Sequence, residues 1–165
     1  MDDRGILLVG TDAASVAFAL TMLSRRYVRY PALTATDGGS ADHERASQQH
    51  LAELRSWAQV VVEYRRGAAT YVYDHERLTR IREGGRLPVA VTDEPRVVDA
   101  LLRESDDWTA VLMWCPDATR PSSPRRPWLR RLRRFSLVLR TDRVAPSTAA
   151  RMIHTAEQMH TVTDS

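Results

Sequence analysis

The sequence predicts an α/β protein with three layers: a mostly parallel sheet covered by helices on both faces. Three observations predict it. Short apolar runs at residues 6–9, 60–62, 87–91 and 110–114 lack the polar alternation of a half-solvated strand, so they read as strands buried on both faces. Stretches with apolar residues at helical spacing lie between them. Turn and cap residues (Gly10, Gly67 and the Gly84, Gly85 pair) punctuate the alternation.

The elements follow in order. Ile6, Leu7, Leu8 and Val9 form a first strand ending at Gly10. After Thr11 and Asp12, the residues Ala13, Val16, Ala17, Leu20 and Leu23 recur at helical spacing, with Asp12 and Ser15 suited to the first turn. Residues 27–33 read as a second strand, 36–46 as a polar, glycine-containing loop and 48–58 as a helix. The strand at 60–64 turns at Arg65, Arg66 and Gly67 and pairs with 70–73 as a hairpin. A charged helix over 74–83 is stopped by Gly84 and Gly85. A strand (87–91), a helix (96–103) and a strand (110–114) follow. Residues 116–127 hold four prolines and two serines and therefore read as loop. An arginine-rich short helix (128–134), a last strand (136–139) and a last helix (147–159) complete the chain, and no internal repeat is visible.

Composition narrows the function classes. At 165 residues the chain can bury a real core, and residues 1–165 read as a single domain. No apolar run approaches the ~20 residues that span a bilayer. The acidic start, Met1, Asp2, Asp3, Arg4, is unlike a signal peptide. Cys115 is the only cysteine, which excludes an internal disulfide and fits a reducing compartment. The expected location is therefore cytoplasmic, with no membrane association. All 24 basic residues are arginine, and there is no lysine or asparagine. Schiff-base chemistry, a lysine general base and a phosphate-loop lysine are thereby excluded. Ligands of parallel sheets sit beyond the carboxyl ends of the strands, which points to residues 10–15, 92–93 and 115–120.

Two stretches carry a family resemblance. One is Gly5, Ile6, Leu7, Leu8, Val9, Gly10 leading into a helix. The other runs from Val60 to Pro116: a strand ending in Glu63 and Tyr64, a turn at Gly67, tyrosines 71 and 73, a helix, Gly84 and Gly85, a strand to Asp93, a helix, and then Val111, Leu112, Met113, Trp114, Cys115, Pro116. This order resembles the guanylate kinase family of P-loop nucleoside monophosphate kinases, including relatives that phosphorylate ribose bisphosphate. The resemblance spans most of the chain. It implies a P-loop-kinase-like fold with an acceptor-binding segment at about 34–75 and a shortened lid-like segment at about 117–134.

The same resemblance exposes a departure. In the family the first turn is a glycine-rich loop whose backbone N–H groups cradle phosphate, whose lysine reaches the β/γ-phosphates and whose Ser/Thr hydroxyl holds Mg²⁺. Here only Gly10 is retained. Ala13 and Ser15 replace glycines, Val16 stands at the lysine position and Ala17 at the hydroxyl position. Asp12 suits an N-cap, and its carboxylate would compete for the same N–H groups and repel polyphosphate. Ordinary ATP-dependent phosphotransfer is not expected, and no cofactor is.

On the acceptor side the resemblance implies ligand contacts from Thr34, Thr36, Glu63, Tyr71, Tyr73 and Asp93. His43 falls near another family tyrosine, and Gly38 stands where an arginine would be. Each has a plain alternative: Glu63 as a surface carboxylate at a strand end, Asp93 as a helix cap, the tyrosines as cover for the sheet. Arg120, Arg130 and Arg131, in the lid-like segment, are the cations the resemblance places nearest a bound phosphate; arginine forks suit phosphate, and a solvated basic face is the alternative. Nucleic acid is a further possible anionic partner, but aromatic–basic interleaving is limited to Trp128 and Phe135. The histidines show no metal-ligand spacing, so no metal is expected. Cys115 reads as a small core residue rather than a nucleophile. The expected function is binding of a phosphorylated small molecule, a nucleotide or sugar phosphate, or of a protein partner; repurposed chemistry in the acceptor pocket and a weak kinase are the alternatives. An arrangement with Glu63 and Asp93 on opposite faces of the sheet, or with the arginine segment far from both, would end this version of the site and leave the protein-binding reading as the better one.

Overall fold

The computed structural model describes residues 4–10, 13–36, 43–115, 128 and 130–160. Strands β1 (Gly5–Gly10), β2 (Tyr27–Arg29), β7 (Leu87–Thr92), β8 (Trp108–Trp114) and β9 (Leu137–Arg140) form a five-stranded sheet in the order β2-β7-β1-β8-β9. Every pairing in it is parallel. Apolar runs without alternation explain why: both faces of β1 are buried, and its residues divide by pleat. Ile6 and Leu8 join Val16, Ala19, Val111, Met113 and Ile153 on one face, covered by helices α1 (Ala13–Met22) and α5 (Pro146–His160). Leu7 and Val9 join Ala90, Ala110, Leu112, Val97, Val98 and Leu101 on the other, covered by α4 (Pro95–Glu104).

A second, mixed sheet of four strands has the order β4-β3-β6-β5, built from β3 (Leu33–Thr34), β4 (Glu44–Arg45), β5 (Val60–Arg66) and β6 (Ala69–Asp74). Its faces also divide by pleat. Leu33 and Val72 pack on Leu51 and Leu54 of α2 (Gln48–Ser56), which is capped by Ser47 accepting from the His50 N–H. Tyr64 and Tyr73 face the other way, into the core shared with the large sheet. Two buried hydroxyls fasten the sheets together. Tyr30, following β2, donates to the Asp74 carbonyl at 2.6 Å, and Tyr73 donates to the Val91 carbonyl at 3.2 Å. Asp74 also caps α3 (His75–Glu83), accepting from the Arg77 N–H at 2.8 Å and from Arg77 Nε at 2.6 Å.

Four local expectations are corrected. The strand expected at 27–33 is two strands in two sheets; Tyr30 and Pro31 carry the chain from β2 to β3. The loop at 36–46 contains β4 at its end. Arg65 and Arg66 are in β5, not in the turn, because the hairpin closes on Gly67 and Ala68 alone, with Gly67 at φ 60°. A tight hairpin of this kind needs the left-handed backbone that glycine supplies. In the short arginine-rich helix expected over 128–134, the described residues show Trp128 helical and a 3-10 turn at Leu132–Arg134, while residue 129 lies outside the described residues. No helix among the described residues is long and apolar enough to cross a membrane.

Candidate functional site

The first turn comes from β1 and α1. Gly10 ends β1 and α1 begins at Ala13; Asp12 and the Ser15 side chain lie outside the described residues. Val16 is 3% exposed and is packed in the lower core, whereas Ala17 on the next position is exposed. Position 16 therefore offers neither a cation nor room for one.

The carboxyl end of β7 faces the small sheet, and there the structure brings an unexpected pair together. Arg66, the last residue of β5, forms an ion pair with Asp93, just beyond β7; both side chains are half exposed. The hydrogen bond to Asp93 holds the Arg66 guanidinium pKa above its ordinary value. Beside Arg66 on the same face lie Tyr64 and its cross-strand partner Tyr71, with rings stacked at 5.1 Å between centroids. His43 packs on Tyr71 at 4.4 Å. Burial pushes the Tyr64 phenol up to about 12, with Arg66 acting in the opposite direction. The phenol is thus neutral at physiological pH and presents a ring and a hydroxyl, not a charge.

Several expected contacts lie elsewhere. Glu63 pairs with Val72 across the hairpin and so sits on the α2 face, where Arg55 Nε donates to it at 2.8 Å. Glu63 and Asp93 consequently occupy opposite faces of the small sheet, and the version of the site that uses both is withdrawn. Tyr73 is buried with its hydroxyl committed to Val91. Thr34 is buried and its Oγ1 accepts from the Thr36 N–H at 3.4 Å, a local turn bond; Thr36 itself is exposed. Asp93 is not a helix cap: Glu94 caps α4, accepting from the Arg96 N–H. Arg131 and Arg134 both bond Asp99 on α4, the former at 3.0 Å. Arg130 is exposed, and Arg120 lies outside the described residues. Thr36, Tyr71 and Asp93 remain as accessible members, joined by Arg66 and His43, with Tyr64 buried behind Tyr71. Arg66 was hidden by its reading as a turn residue. The period of two that places Tyr64 inward also places Arg66 on that face.

Among the described residues no three His, Cys, Asp or Glu side chains converge as a metal site. The half-exposed Arg66 and Asp93 lie beside a ring stack whose Tyr64 is buried and whose Tyr71 is only partly exposed.

The fold is α/β and P-loop-kinase-like in its arrangement, with a parallel five-stranded sheet and a second, mixed sheet beside it. No protein-family model matches the chain, and neither does any curated protein. Among solved structures, a guanylate kinase from Anaplasma phagocytophilum is similar over 94% of this chain and 85% of its own, with a TM-score of 0.65 and 12% sequence identity. At that identity the likeness shows a shared fold, and the functional reading has to come from the residues of this chain.

Proposed function

We propose that this protein binds a phosphorylated small molecule, a nucleotide or sugar phosphate, in the cleft between the two sheets, and does not transfer phosphate from ATP in the manner of a P-loop kinase. The observation that carries the reading is Arg66: a half-exposed guanidinium between the two sheets, paired with Asp93 and on the same strand face as the Tyr64–Tyr71 ring stack. With no lysine in the chain, a phosphate in this cleft has to be met by arginine. A guanidinium fork matches a phosphate's oxygens, and a base or sugar ring would lie toward Tyr71 and His43, with the Thr36 hydroxyl available as a donor. Asp93 is the positioning residue: it fixes the guanidinium and at the same time weakens its pull on an anion.

The ATP half of the reading is supported by Val16 and Ala17. A buried valine and an exposed alanine replace the groups that hold the β/γ-phosphates and Mg²⁺ in a P-loop. Losing charge-assisted contacts removes about 1.5–3 kcal/mol each, so two such losses lower affinity by roughly two to four orders of magnitude. A thermal-shift panel of nucleoside monophosphates, ribose phosphates and Mg-ATP tests both halves. The reading expects a concentration-dependent rise in melting temperature with at least one monophosphate and none with Mg-ATP. A panel in which Mg-ATP alone stabilises the protein contradicts it. A panel with no response at all would favour the protein-partner reading, which Glu63's place on the α2 face already brings closer.

A further inference from the structure

On the face of the large sheet turned away from the small one, the edge strand β9 and helix α5 border an open groove of about 650 Å³. Helical spacing sets it up. Ala149 and Ile153 of α5 turn inward and join Val111 and Leu139 in the core. Thr148, Met152, Thr155 and Met159 recur about one turn apart and line the groove instead. Leu137 of β9 and Ala156 of α5 complete the apolar lining. Because β9 is the last strand of its sheet, no described strand borders it on the outer side. Met152 and Met159 are accordingly left 39% and 66% exposed. Large apolar side chains gathered along one groove mark a binding surface, and the flexible, polarisable methionine side chain moulds itself to an apolar guest.

The charge of the groove says what that guest carries. Among the described residues Arg151 is the one charged group in the lining, and it makes no ion pair with any of them. Its Nη2 donates to Thr148 Oγ1 at 3.4 Å, and Thr148 lines the groove, so the guanidinium sits at that end with other N–H groups of its fork available. The carboxylates nearest in sequence are engaged elsewhere: Asp142 accepts two bonds from Arg140, and Glu157 is fully buried against Arg4. An apolar trough with one uncompensated cation at its end complements an apolar chain with one anionic head. A second copy of the chain is the poorer occupant. A two-fold contact would set the same groove against itself, with Arg151 on both sides and no described lining carboxylate on either. From Thr148 to Met159 the helix rises about 16 Å, which is the length of a medium acyl chain and not of a compact anion. We propose that this groove binds a free medium-chain fatty carboxylate, its acyl chain along Met152, Ala156 and Met159 and its carboxylate on Arg151 and the Thr148 hydroxyl. The site lies on the other face of the large sheet from the cleft and is independent of the reading given above.

The methionine methyl resonances report on the groove directly. The chain has five methionines, of which Met113 is buried in the core and serves as an internal control. Decanoate, kept below the concentration at which it forms micelles, is titrated into protein labelled with ¹³C at the methionine methyls, with assignments from Met152→Leu and Met159→Leu. Decyltrimethylammonium, which has the same chain and the opposite charge, is titrated separately. The expected result is a saturable movement of the Met152 and Met159 methyls with decanoate, a still Met113, and saturation by decyltrimethylammonium at least tenfold weaker. Arg151→Gln should weaken decanoate by about tenfold, as expected for one lost charged contact, and Arg151→Lys should restore part of it. Methyls indifferent to decanoate overturn the proposal. Equal binding of the two probes, or decanoate binding unchanged in Arg151→Gln, overturns it too, and that variant alters only an exposed side chain. Sedimentation velocity supplies the remaining outcome: a dimer that Met159→Glu dissociates would assign the groove to a second copy and overturn the carboxylate site.

Discussion

Arg66 and Asp93 come from different sheets and meet as an ion pair, one at the end of β5 and the other just past the end of β7. The pair places a positive fork over the carboxyl edge of the parallel sheet, where ligands of such sheets bind. It also couples that fork to a carboxylate that opposes any incoming anion. Two opposed consequences follow for the two partners.

Arg66→Ala should leave stability within about 1 kcal/mol of wild type, because the pair is half exposed, yet weaken a bound nucleoside or sugar monophosphate by about 1.5–3 kcal/mol. Asp93→Asn should tighten the same ligand, since it removes the repulsion and keeps an acceptor for Arg66. Titration calorimetry on both variants gives the signs. Weaker binding in Asp93→Asn would place Asp93 in direct contact with the ligand instead.

Val16→Lys should not create an ATP site. The side chain is buried among Leu8, Val111 and Ile153, and an uncompensated buried charge costs about 3–5 kcal/mol. Urea denaturation should show a loss on that scale, and coupled assays of guanylate phosphorylation should stay at background. Wild-type stability together with measurable phosphotransfer would mean that position 16 can open toward a phosphate.

The fold was legible because β1, β7 and β8 are buried on both faces, and a continuous apolar run such as Ile6 to Val9 says so without any partner being known. The small sheet was half legible. Its hairpin announced itself through Gly67 and the alternating tyrosines, whereas β3 and β4 are two residues each and exist through pairing, not propensity. The candidate site was read least well. Glu63 and Asp93 were grouped by resemblance, but a strand's pleat turns each residue to one side, and Val72 opposite Glu63 fixes it toward α2. The same alternation, counted from Tyr64, would have delivered Arg66. That step required knowing that β5 continues two residues beyond the strand expected at 60–64.

The junction between the sheets should be the stability bottleneck. Tyr73→Phe removes the hydroxyl that donates to Val91, and Tyr30→Phe the one that donates to Asp74. Each should cost about 1–3 kcal/mol in urea denaturation, because a buried carbonyl loses its donor. A loss below about 0.5 kcal/mol for both would show that these hydroxyls merely fill space.

Stability should fall between pH 10 and pH 12. Burial, reinforced by the Glu157 carboxylate, pushes the Tyr27 phenol up to about 12, and burial does the same to Tyr64; Tyr30 and Tyr73 are raised as well. For a raised folded-state pKa, the contribution is fully present below the unfolded value, near 10, and is lost as pH climbs to the folded value. Thermal melts across this range, read with phenolate absorbance, should show unfolding and tyrosine ionisation together. Free ionisation of all tyrosines near pH 10 in a still-folded protein would contradict the burial of these rings.

The central claim, an anion-binding cleft without P-loop ATP chemistry, is tested most directly by calorimetric titration of wild-type protein and Arg66→Ala with the best-responding monophosphate and, separately, with Mg-ATP. The account predicts saturable binding of the monophosphate that Arg66→Ala weakens about tenfold or more, and no measurable heat of binding with Mg-ATP. Micromolar Mg-ATP affinity, unaffected by Arg66→Ala, would contradict it.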